Sequence, residues 1–299
     1  MFMAIVVVFA FAGCSSSTPP VQSGQSSPLP TGTYNYQLNV ANLRPLDTSS
    51  ARYVLWFRSL GDTAWYAKPL TKWTVGVNSL DFLGTIQLPH EPDSIVSAFV
   101  SIEPSAVPAN PSSILMTGAF DTVTDSAFIN AANAGGAGDY SNAKASVTFT
   151  TKSPDTNQAK SEFYLMDFIQ GIPISSVSNL PVPPQGWSFG LWVLDSNFYP
   201  LHQFFYGTFT NTDSSDVHPT NFDYPFPGGY YPRPLNDPGA RLEITLEPDF
   251  AIQGNHPNAP STLIVFWARL RQFIDYNDTL NLTNAWSSSA PHGILKLTK

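Results

Sequence analysis

The chain has 299 residues, 42% of them hydrophobic and only 12% charged, with 27 prolines and 19 glycines. That is apolar enough for a real core and long enough for one large domain or two of roughly 100–150 residues each, while the prolines leave little room for long helices. A formal charge of −8 and one cysteine exclude a phosphate-neutralising nucleic-acid surface, an internal disulfide and a multi-cysteine metal site.

In chain order, Ile5 to Phe11 is an apolar run, followed by Ala12, Gly13 and Cys14. About thirteen residues cannot span a bilayer core that needs roughly 20, so the run reads as a signal-peptide core rather than a transmembrane helix. The segment Phe11 to Cys14 resembles the lipobox of bacterial lipoproteins. That resemblance implies cleavage before Cys14, a thioether lipid on its sulfur and acylation of the new amine. Phe11 stands where leucine is usual, and no basic residue precedes the apolar run. Residues 1–13 are thus expected to be a signal peptide. Residues 14–33, rich in Ser, Pro and Gly, are expected to form a tether that lets a folded body stand clear of the head groups. Ser15 after the cysteine points to the outer membrane, outside the cytoplasm. The negative charge leaves membrane attachment to the lipid alone.

The body carries the same landmarks twice. Asn42-Leu43, a proline-containing turn and a strand with Trp56 recur as Asn179-Leu180, a proline-rich turn and a strand with Trp192. Further on, Ala98 to Pro104 matches Arg241 to Pro248, with Glu103-Pro104 and Glu247-Pro248 closing each strand. Pro111-Ser112 and Pro260-Ser261 then open two apolar strands. Four landmarks in one order point to duplication.

Strand patterns dominate. Tyr34, Tyr36, Leu38 and Val40 alternate with Asn35, Gln37 and Asn39, giving one apolar and one wet face. Leu242, Ile244 and Leu246 alternate in the same way with Arg241, Glu243, Thr245 and Glu247. Short strands and turn clusters predict a mostly β chain of two tandem Ig-like or Greek-key-like β-sandwich modules, residues 34–152 and 153–299. Short helices fit only at Asp125 to Asn133 and Gln158 to Phe168.

The strands ending at Glu103-Pro104 and Glu247-Pro248, with the Pro-Ser strands after them, resemble the extracytoplasmic domain of anti-sigma-K factors, over about residues 34–125 and 175–270. In that family a transmembrane helix and a cytoplasmic domain precede the outer domain. Here a lipobox-like segment and a tether stand in their place, so the resemblance implies a related outer module without the sigma-holding activity.

No catalytic constellation is expected. Ser141 and Lys144 match a Ser-x-x-Lys pattern after a Gly-rich turn, where a loop is the simpler reading. The histidines lack metal spacing. His90, His256 and His292 are expected in loops, and the segment Asn211 to His218, with Asp223 after it, reads as a solvated acidic turn. Neither a metal nor a cofactor is implied. Glu103 and Glu247 are the recurring carboxylates, and paired acids can run glycosidic chemistry. Each ends a strand before a proline, however, where a carboxylate can accept backbone N–H groups from the following loop. Trp56 and Trp192 are expected in the core.

Phe222, Tyr224, Phe226, Tyr230 and Tyr231 have no counterpart in the first copy, and rings on rigid turns could meet a glycan or a protein. The expectation is a lipid-anchored, non-catalytic scaffold or binding protein of the envelope. The alternatives are a glycan-binding or carbohydrate-active lipoprotein and an envelope stress-sensing partner of a sigma/anti-sigma system.

Overall fold

A computed structural model describes residues 32–43, 45–46, 49–61, 65–88, 94–150, 161–195, 202–211, 228–231, 240–252, 260–270 and 278–298. The protein is mostly β, with several antiparallel sheets. Its strands in chain order begin with β1 (Gly32–Ala41), β2 (Ala51–Ser59), β3 (Tyr66–Leu70), β4 (Trp73–Val75), β5 (Ser79–Leu88), β6 (Ile95–Pro104) and β7 (Ser113–Asp121). Then come β8 (Ser126–Asn130), β9 (Ser146–Thr150), β10 (Ser161–Tyr164), β11 (Met166–Ile169), β12 (Ile172–Ser175), β13 (Trp187–Asp195) and β14 (His202–Phe209). The chain closes with β15 (Gly228–Tyr231), β16 (Ala240–Pro248), β17 (Ile264–Arg269), β18 (Thr279–Asn281), β19 (Thr283–Asn284) and β20 (His292–Thr298). Two four-residue helices, α1 (Asp249–Ile252) and α2 (Trp286–Ser289), are the helical elements among the described residues. No helix there is long and apolar enough to cross a membrane.

Neither helix lies where the sequence suggested one. Asp125 to Asn133 holds β8, because Ala127 and Ile129 point into the core while Phe128 points out, a period of two. The described part of Gln158 to Phe168 holds β10 and the start of β11. A tight turn through Gln170 (φ 53°) and Gly171 (φ 80°) joins β11 to β12. His292, expected in a loop, is the first residue of β20.

A nine-stranded sheet runs β3-β2-β6-β7-β8-β20-β1-β5-β4, and a five-stranded sheet runs β14-β13-β16-β17-β19. A four-stranded sheet, β15-β10-β9-β18, and the β11-β12 hairpin complete the set. The strands do not separate at residues 152 and 153. The C-terminal β20 pairs with β1 on one side and β8 on the other, and β18 pairs with β9. One apolar core runs from Tyr34 and Leu38 on β1 through Leu191 and Ile244 to Leu295 and Leu297 on β20.

The two sets of landmarks lie on strands in the same order, β3-β2-β6-β7 and β14-β13-β16-β17. Pro104 faces Ala51, five residues before Trp56, and Pro248 faces Trp187, five residues before Trp192. A bulge falls between Val100 and Ser101 in one pairing and between Ile244 and Thr245 in the other, each time two residues before the glutamate. Asn42 (φ 59°) and Asn179 (φ 56°) both take the left-handed conformation that asparagine tolerates.

The copies meet beside the first of these glutamates. Ser113 Oγ donates to Gly186 O at 2.9 Å, and Trp187 Nε1 donates to Ile114 O at 3.0 Å. Gly186 (φ 87°) sits so close that a Cβ would lie 2.1 Å from Ser112 O, so this seam requires glycine.

Candidate functional site

Glu103 and Glu247 end β6 and β16 with side chains buried at 0% and 2% exposure. The backbone N–H of Ser112 donates to Glu103 Oε1 at 2.9 Å, and the Ser112 hydroxyl donates to Oε2. The backbone N–H of Ser261 donates to Glu247 Oε1 at 2.9 Å, joined there by Trp192 Nε1 at 3.1 Å and by the Thr245 hydroxyl. Each carboxylate therefore closes the loop after its own strand onto the serine of the Pro-Ser step. Burial pushes the Glu247 carboxyl above its usual range, while the donors from Ser261, Thr245 and Trp192 pull the other way. Gly190 gives this carboxylate room, since a Cβ there would lie 2.8 Å from Glu247 Cγ.

Alternation placed Glu243, Thr245 and Glu247 on a wet face, and the structure corrects this. They are 1%, 0% and 2% exposed, because the outer face of the sheet is covered at these positions, while Arg269 on the same face stays exposed. Trp56 and Trp192 are each 1% exposed on the equivalent faces. Trp56 Nε1 donates to Ser101 Oγ at 2.8 Å, and its ring stacks on Phe99 at 5.9 Å. Trp192 lies 4.6 Å from Phe205.

The outer face of the five-stranded sheet carries two neighbouring rows of side chains. Pairing aligns Phe205, Trp192, Glu243 and Trp267 in one and Gln203, Leu194, Arg241 and Arg269 in the next. Arg241 pairs with Glu243, and its guanidinium also lies 5.7 Å from the centre of the Trp267 ring. Sequence alternation could place Arg241 and Glu243 together, but only the β16-β17 register brings Arg269 and Trp267 beside them.

Phe222, Tyr224 and Phe226 lie outside the described residues, as do Cys14, His90, His218 and His256. Tyr230 and Tyr231 belong to β15, paired opposite Glu162 and Ser161, so this end of the aromatic segment is strand rather than turn. Lys144 sits in an isolated bridge with Ser178 beside β9. Among the described residues no cluster of three His, Cys, Asp or Glu side chains could hold a metal ion. Compared with known proteins, the chain matches no family model, no curated protein and no solved structure.

Proposed function

We propose that this protein is a lipid-anchored, non-catalytic component of the cell envelope, outer membrane rather than inner, acting as a scaffold or binding surface. The observation that carries this reading is the use of the two recurrent carboxylates. Glu103 and Glu247 are buried, and each is engaged by a serine of its own loop, which leaves them as struts of the fold. The repeated landmarks, with their resemblance to the outer domain of anti-sigma-K factors, support a module that works outside the cytoplasm. Cys14, followed by residues without apolar periodicity, supports an anchor on its sulfur. Several acyl chains, at about 0.8 kcal/mol per buried methylene, make such an anchor effectively permanent.

Fractionation tests the anchor. The wild-type protein is expected in the membrane fraction and Cys14→Ser in the soluble extracytoplasmic fraction; retention of the variant on membranes would overturn the reading. A second reading, glycan binding, is favoured by the half-buried Trp267 ring beside Arg241 and Arg269 on a sheet face.

A further inference from the structure

The two copies share order, register and bulge, so the first shows what the fold needs at each position of the second. On the outer face of the first copy, the row through Trp56 holds Ala67, Phe99 and Thr117. The equivalent row through Trp192 holds Phe205, Glu243 and Trp267. In the next row the first copy has Arg58, Ser97 and Ala119 side by side, where the second has Leu194, Arg241 and Arg269. Small or apolar residues, Phe99, Thr117, Ser97 and Ala119, satisfy the first copy where the second has Glu243, Trp267, Arg241 and Arg269. The second copy has instead gathered two guanidinium groups, a carboxylate and two aromatic rings there. The first copy keeps one cation–aromatic contact, Arg58 over Trp65, beside its edge strand.

The arrangement is costly by itself. Like charges directly opposite on neighbouring strands repel. Glu243 offsets only one of them, since it pairs with Arg241, and exposed Arg269 has no ion-pair partner among the described residues. In a chain with 14 basic against 22 acidic residues, two arginines side by side form a local positive site on an acidic body. Beside them lie Trp267, Phe205 and Gln203, all half-buried.

We infer that this face binds an acidic saccharide, a chain of uronic acid units. A sugar carboxylate meets the forked donors of Arg269 and Arg241, and the C–H face of a pyranose ring lies on Trp267. With Arg241 held by Glu243, Arg269 stands without an ion pair among the described residues beside the Trp267 ring, which matches a sugar unit that offers one carboxylate and one apolar ring face. The inference rests on the binding role proposed above and not on the lipid anchor.

The test is calorimetric titration of the full chain with oligogalacturonate, with a neutral cello-oligosaccharide and a polyglutamate peptide as comparisons. The wild type is expected to bind the uronate chain, more weakly as salt rises, and to ignore the other two. Arg269→Ala and Trp267→Thr install the residues that the first copy already carries, so both are expected to fold. Each is expected to weaken binding about tenfold or more, the loss of one charge-assisted or stacking contact. No binding of oligogalacturonate at millimolar concentration, or equal affinity in wild type and both variants, would overturn the inference. Equally tight polyglutamate binding, lost in the same variants, would assign the face to an acidic peptide and overturn the saccharide. Each outcome is independent of where the Cys14→Ser variant fractionates.

Discussion

Glu247 holds three donors on one oxygen in a site sealed from water, and the balance there favours the neutral acid. Its carboxyl titrates higher in the folded chain than in the unfolded one. Its contribution to stability is therefore complete below the unfolded value, about pH 4.3, and is lost as pH rises through the folded value. Glu247→Gln keeps an oxygen for the three donors and removes the titration. The melting temperature of the variant relative to wild type is expected to climb as the pH is raised above the unfolded value. A difference that stays flat there would refute the account. The sequence located both glutamates through their recurrence before proline and suggested the loop N–H groups as partners. It put Glu247 on a wet face because a period of two reports which side a residue faces, not what covers that side.

One strand ties the two halves of the chain together. β20 lies between β8 and β1 and buries Leu295 at 0% and Leu297 at 2% exposure. Two buried leucines contribute about 3–6 kcal/mol, a large part of the roughly 5–15 kcal/mol that holds a domain together. Removing the strand also bares two sheet edges, which invites association. A chain ending after Pro291 is expected to lose its near-ultraviolet circular dichroism and elute as aggregates in size exclusion. A monomer with native dichroism would contradict this. β8 shows the opposite limit of local reading: Ser, Ala and Asn at 125–133 admit a helix, and the strand forms because β7 and β20 flank it.

Across the whole molecule, the two copies share one core, with Trp187, Tyr140 and Trp286 at their junction. The Tyr140 ring packs edge-on against both Phe189 and Trp286. Asn284 Nδ2 reaches back to the carbonyls of Tyr140 at 2.7 Å and Ala143 at 2.8 Å. A structure joined this way is expected to unfold in a single calorimetric transition, with equal calorimetric and van't Hoff enthalpies. Two resolved transitions would mean that the copies are independent domains.

The sequence by itself determined the β class, the recurrence of the landmarks and the inward faces of β1 and β16, because alternation, turn residues and repeated landmarks are local. Only the tertiary structure decided that the C-terminal strand completes the first sheet, that polar positions on β16 are covered, and that Arg269 and Trp267 stand beside Arg241. Strand order and register are set by burial summed over the whole chain, and no local pattern carries that sum.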